Sequence, residues 1–204
     1  MTVAVTGPFA SGKSTFVRIL GELGAETVSA DEIVHDLLAE SKETITRVVD
    51  RFGEEVLKES GVDRRVLGRK VFGNPEALQD LEDILHPLVR RETRRRIENT
   101  GADLFVAEIP LLFEGGRSGS FDYTVAVTVP EERRRVWAAE RGVDETALRA
   151  IEARQLGQEE KARRADVVVQ NDGDLDKLRE QAEELRERIS RERDTDGSVQ
   201  QQEA

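Results

Sequence analysis

The chain of 204 residues is long enough for one domain with a substantial interior, or for one core carrying an inserted subdomain. A formal net charge of -11 leaves no global positive field to draw in a nucleic-acid backbone, although local arginine clusters remain, since all but six of the 31 basic residues are arginine. The absence of cysteine excludes disulfides and thiolate metal sites and suits a reducing cytoplasm, and no apolar run approaches the roughly 18 residues of a membrane-spanning helix.

The first strand is Thr2 to Thr6, and it runs into Gly7-Pro8-Phe9-Ala10-Ser11-Gly12-Lys13-Ser14-Thr15, a glycine, four residues, then Gly-Lys-Ser. A triphosphate needs several backbone N–H groups converging on it, and Gly7 and Gly12 let the chain approach closely. Lys13 is placed to reach the β and γ phosphates, the Ser14 hydroxyl to bind Mg2+, and the following helix to point its positive end at the anion. That helix, residues 14–23, ends before Gly24, where a left-handed residue is expected.

Residues 26–30 form a second short strand that stops at Asp31, which is expected to cap a helix over 32–39. Helical spacing continues through Ile45, Val48, Val49 and Phe52 to Gly53, then over 64–72 and, after Gly73-Asn74-Pro75, over 76–99. Pro87 predicts a kink or break near His86. This all-helical insertion exceeds what a crossover needs and is a candidate acceptor-binding subdomain.

A third strand, 104–109, leads into Pro110-Leu111-Leu112-Phe113-Glu114; a fourth spans 123–129, and helices follow over 131–141 and from Asp144 to about Gln155. A fifth strand, 167–169, enters Asn171-Asp172-Gly173, and an amphipathic helix runs from Asp174 to about Arg191 before a polar tail, 193–204, expected to be disordered. Strands near-continuous in Val, Ile and Ala and alternating with helices indicate an α/β fold with a buried parallel sheet of five strands covered on both faces. Ligands of such sheets sit at the carboxyl ends of the strands, where Gly7, Asp31, Glu108, Pro110 and Asn171 all fall.

Phosphoryl transfer requires positioning, charge stabilisation and a group that orients or deprotonates the acceptor. Asp31 is the leading acceptor-side carboxylate, Glu108 a candidate for the Mg2+ shell, Glu114 a candidate for shaping the acceptor pocket, and Arg141 a lid cation able to close over the triphosphate. Two histidines, His35 and His86, and no cysteine give no His/Cys metal cluster. On these residues alone, another small-molecule or nucleotide kinase of the same fold stays open. A regulatory GTP switch is disfavoured, because Asn-Lys-x-Asp is absent and Asp-x-x-Gly occurs only from Asp50 and from Asp194.

The ordered set Thr6-Gly7, Ser11-Gly12-Lys13-Ser14-Thr15, Leu23-Gly24-Ala25, Ala30-Asp31-Glu32-Ile33, Arg51-Phe52-Gly53, Val71-Phe72, Ile84-Leu85-His86-Pro87 with Val89-Arg90, and Ile109 through Glu114 resembles the dephospho-coenzyme A kinase family. Arg141, Gln155, Glu160-Lys161, Ala165-Asp166 and Asn171-Asp172-Gly173 continue the likeness. The resemblance implies a P-loop NTPase three-layer fold over 1–192, with a core of 1–31, 102–130 and 165–192, an acceptor-binding insertion of about 32–101 and a lid of about 131–164. It implies ATP-dependent phosphorylation of the 3'-hydroxyl of dephospho-coenzyme A with Mg2+. The expectation beside it is a cytoplasmic monomer or weak homo-oligomer that engages neither nucleic acid nor membrane. By position, Asp31 would be the general base and Lys13 and Arg141 the transition-state cations. Ala10 to Thr15 would be the ATP loop with Asn171 near adenine, and His86, Arg90, Pro110, Leu111 and Glu114 would contact the acceptor. The usual Gly-Gly-Ile-Gly is here Gly7-Pro8-Phe9-Ala10, which predicts a stiffer loop; an acid two residues before Asp31 is replaced by Ser29, and Glu108 stands where Asp is common.

Overall fold

The computed structural model describes the backbone of residues 1–200 and side chains as far as Arg193, and the chain divides into two compact units, Met1–Thr27 with residues from Gly101 onward, and Val28–Thr100. In the first unit, β1 (Thr2–Thr6), β5 (Phe105–Glu108), β6 (Tyr123–Thr128) and β7 (Val167–Gln170) join β2 (Glu26–Ser29) in a five-stranded sheet of order β2-β5-β1-β6-β7. The pairings of β1 with β5 and β6, and of β6 with β7, are parallel, and each needs a helical crossover. Val3, Val5, Val106, Val125 and Val127 face one side, where α1 (Lys13–Glu22) and α9 (Leu175–Gln200) bring Phe16, Leu20, Leu178, Ala182, Leu185 and Ile189 into one buried cluster. Period-two alternation puts Ala4, Thr6, Ala107 and Ala126 on the opposite face, and α8 (Gln158–Arg164) packs against β6. α1 ends as predicted: Gly24 adopts φ +94°, its N–H reaches the Gly21 carbonyl, and the Ala25 N–H reaches Leu20, a Schellman closure.

The second unit has its own core, in which Leu38, Val48, Phe52, Leu67, Ile84, Leu85 and Leu88 meet. Its helices are α2 (Ala30–Glu40), α3 (Lys42–Phe52), α4 (Arg64–Val71) and α5 (Pro75–Asn99). It is not all-helical: a 3-10 turn and a two-strand antiparallel hairpin, β3 (Leu57–Lys58) with β4 (Gly61–Val62), interrupt the helices. Strands this short carry too little periodicity to be seen in sequence.

Three further expectations are corrected. Ser29, not Asp31, caps α2: its hydroxyl accepts the Asp31 N–H while Glu32 reaches back to the Ser29 N–H, a capping box that starts the helix two residues early. Of the kink or break expected near His86, the break does not occur: α5 runs on through Pro87, because Ile84, Leu85, Leu88 and Val89 are all buried around it and packing outweighs one lost backbone bond. α9 continues past Arg191 to Gln200, so residues 193–200 of the predicted tail are helical; propagation from packed turns adds one hydrogen bond per residue fixed. Residues 201–204 lie outside the described residues.

The remaining elements, α6 (Glu131–Glu140) and α7 (Glu145–Glu152), precede α8 in the first unit; Asp144 caps α7 by accepting the Ala147 N–H at 2.8 Å.

Candidate active site

The loop between β1 and α1 has the backbone that its glycines predict. Gly12 is left-handed, φ +85°, and a Cβ there would lie 2.0 Å from Asn171 Nδ2; a Cβ on Gly7 would lie 2.4 Å from the Val127 carbonyl oxygen. Gly12 supplies no capping side chain to α1, and the first intrahelical bond is Phe16 N–H to the Gly12 carbonyl, so the Ser14 and Thr15 N–H groups precede the helical ladder. An uncapped helix start behind a close-approach loop fits a phosphate chain. Lys13 is buried with its Nζ 2.8 Å from the Pro8 carbonyl oxygen, folded over the loop it belongs to.

Ala10, where a glycine is usual in the resemblance, has φ +59°, the only left-handed non-glycine backbone among the described residues. The conformation costs about 1–2 kcal/mol for an L-residue. Its side chain is 3% exposed and clusters with Ala138 and Leu148, beside Phe9, Trp137 and Val143, so apolar burial offsets part of that strain. Phe9 also lies beneath Arg141, whose guanidinium carbon is 5.8 Å from the ring centroid. Phe9 and Ala10 therefore tie the loop to α6 and α7 and bring Arg141 over the Phe9 ring.

Around this loop the strand ends converge. Ser14 Oγ donates to Glu108 Oε1 at 3.0 Å across the end of β5, and Glu108 is buried. A hydroxyl beside a carboxylate is an oxygen donor pair suited to Mg2+, which retains several waters and takes its other ligands from phosphates. No cluster of three or more His, Cys, Asp or Glu side chains able to hold a metal occurs among the described residues.

Asn171, after β7, is 5% exposed and uses both ends of its amide inside the protein: Nδ2 donates to the Ser11 carbonyl at 2.9 Å, and Oδ1 accepts the Gly173 N–H at 3.1 Å. Gln155 Oε1 accepts the Phe9 N–H at 3.2 Å, and Gln158 Oε1 accepts the Val129 N–H at 2.9 Å. Glu114 is likewise directed inward, with Oε1 accepting the Leu156 N–H at 2.7 Å and pairing with Lys161 Nζ at 2.9 Å. The bracing bonds from Asn171, Gln155 and Lys161 left no sequence signal beyond a position in a matching motif, and that from Gln158 left none.

A cavity of about 420 Å³ opens beside Pro8 toward α6 and α7. Glu131, Glu152 and Glu159 line it against a single cation, Arg134, which already pairs with Glu131 and Glu152, so its walls do not suit a polyphosphate.

Asp31, His86 and Arg90 belong to the second unit and are exposed there. Because Ser29 and Glu32 close the capping box, the Asp31 carboxylate makes no hydrogen bond or ion pair among the described residues. On α5, Arg91 pairs with Glu43, Arg95 and Arg96 with Glu92, and Arg96 also with Asp36, whereas Arg90 has no carboxylate partner among the described residues. Arg95 and Arg96 together hold the Glu92 carboxyl down to about 2.

A family profile described as Dephospho-CoA kinase matches residues 1–177. The chain is 42% identical over 185 residues to a dephospho-CoA kinase of Carboxydothermus hydrogenoformans, covering 88% of this chain and 89% of that one. It is 39% identical over 189 residues to one of Protochlamydia amoebophila, covering 90% and 93%. Among solved structures it resembles the dephospho-CoA kinase of Campylobacter jejuni, with a TM-score of 0.69, 30% identity and coverage of 94% and 98%. A shikimate kinase of Acinetobacter baumannii, at a TM-score of 0.55 and 16% identity over 94% of this chain and 93% of that one, shares the fold alone.

Proposed function

The chain belongs to the dephospho-CoA kinase family, ATP-using enzymes of the final step of coenzyme A biosynthesis, and from that premise we propose how its residues divide the work. Lys13 and the opening-turn N–H groups of α1 hold the phosphate chain of ATP, and Arg141 balances charge that develops on the transferred group. Ser14 and Glu108 hold Mg2+, which when bound neutralises phosphate charge.

Asp31 accepts the proton of the 3'-hydroxyl of the dephospho-coenzyme A ribose as that oxygen attacks the terminal phosphorus. Its carboxylate is spared from helix capping, and it lies two residues after the end of β2. His86 and Arg90 on α5, and the segment of Pro110, Leu111 and Glu114, engage the acceptor. The segment of α6 to α8 acts as the lid, and the enzyme works in the cytoplasm as a monomer or weak homo-oligomer, with no nucleic-acid or membrane partner.

The observation that carries this reading is the fitted loop: Gly12 packs against Asn171 where no Cβ fits, and Ser14 sits in hydrogen-bond contact with Glu108. A coupled assay of ADP release across dephospho-coenzyme A, nucleosides and nucleotides tests it, with the product examined for phosphate position. Turnover with dephospho-coenzyme A to the 3'-phosphate is expected; turnover of a nucleotide with none of dephospho-coenzyme A would overturn it.

A further inference from the structure

Lys161, on α8, has no accessible surface and lies among oxygens from three separate segments. Its Nζ is 2.6 Å from the Pro110 carbonyl oxygen, 2.9 Å from Glu114 Oε1 and 3.5 Å from Thr6 Oγ1. Thr6 Oγ1 donates to the same Pro110 carbonyl at 3.1 Å, and Glu114 Oε1 also accepts the Leu156 N–H from the connection between α7 and α8. One ammonium thus joins the tip of β1, the segment that follows β5, and the last helix before β7. Desolvation pushes the Lys161 ammonium below its ordinary range, opposed by the hydrogen bond it donates to Glu114.

Burying such a pair is costly, and well-packed apolar side chains of similar volume hold elements together at least as well. What the ammonium adds is direction: it fixes a carbonyl and a carboxylate at set distances from one point, and with them the backbone between Pro110 and Glu114. We propose that Lys161, paired with Glu114, is a positioning residue for the acceptor, holding that backbone in the shape that receives dephospho-coenzyme A. This rests on the reading of that segment as acceptor-side. It gives Glu114 a second role, through Lys161, beside its place in the acceptor-side segment, and it makes α8 part of the acceptor site's frame.

The test compares Lys161→Met, Glu114→Gln and the double variant by thermal unfolding and by KM for each substrate. Lys161→Met alone leaves the half-buried Glu114 carboxylate without its cation and lowers the unfolding midpoint. The double variant removes that charge and regains most of the midpoint, yet its KM for dephospho-coenzyme A stays at least tenfold above wild type while KM for ATP stays within twofold. A double variant whose acceptor KM recovered with its stability, or whose two KM values rose together, would reduce Lys161 to a structural lysine. Wild-type protein with no turnover of dephospho-coenzyme A would instead remove the acceptor reading, and this proposal with it.

Discussion

Replacing Asn171 by alanine separates two accounts of the same residue. The resemblance places Asn171 near adenine, whereas its amide spans the Ser11 carbonyl and the Gly173 N–H inside the protein. Each hydrogen bond contributes about 1 kcal/mol net, and leaving the Ser11 carbonyl without its partner raises the total to roughly 2–3 kcal/mol. For a domain of this size that lowers the unfolding midpoint by roughly 5–10 °C. The bond sits one residue before Gly12, so the loop loosens as well, and KM for ATP rises several-fold as a consequence. Gly12→Ala gives an internal control. In wild type it meets Asn171 Nδ2 at 2.0 Å on top of left-handed strain, whereas in the Asn171→Ala background the side-chain clash is gone and only strain of about 1–2 kcal/mol remains. The second substitution is therefore less damaging in the variant than in wild type. Differential scanning fluorimetry and ATP titrations on the four proteins read both effects. An unchanged midpoint, with a raised KM for ATP and lost discrimination between adenine and guanine nucleotides, would refute the bracing role.

Three more outcomes follow from the site. Lys13→Ala abolishes phosphoryl transfer while the protein still folds, its unfolding midpoint lowered no more than by Asn171→Ala because one buried bond to the Pro8 carbonyl is lost; unchanged turnover would remove the loop assignment. Glu108→Gln raises the Mg2+ concentration for half-maximal activity about tenfold or more, because a ligand-orienting carboxylate is lost; a Mg2+ dependence equal to wild type would place the ion elsewhere. Glu92, held down to about 2 from 4.5 by Arg95 and Arg96, contributes stability that is fully present above pH 4.5 and lost as pH falls through about 2. Glu92→Gln therefore lowers the unfolding midpoint at pH 7 but not below pH 2, and an equal loss at both would discount the ion pair.

The elements with long apolar runs were legible because burial dictates their composition: the valines of β1 and β6, and the Leu178, Ala182, Leu185 and Ile189 stripe of α9, can satisfy water nowhere else. Gly24 was legible for the same kind of reason, since only a residue without Cβ closes that helix cheaply. The start of α2 was misplaced although Ser29 and Glu32 carry the capping-box spacing; the acid Asp31 drew the cap to itself, when the serine hydroxyl already served that N–H. The hairpin at Leu57–Lys58 and Gly61–Val62 offers two residues per strand, too few for alternation to register. In the site, the glycine positions followed from a backbone that tolerates no Cβ there, and Ser14 and Glu108, singled out separately in the sequence, lie in hydrogen-bond contact. The bracing amides and the buried Lys161 were not legible, because a long-range bond to a backbone carbonyl constrains only one partner's identity.

The proposed role of Asp31 comes to a single number, the turnover of Asp31→Asn at saturating ATP and dephospho-coenzyme A. Loss of a general base lowers kcat by roughly 100-fold or more while KM for ATP stays within a few-fold. A variant with wild-type kcat would show that the acceptor hydroxyl is activated by some other group.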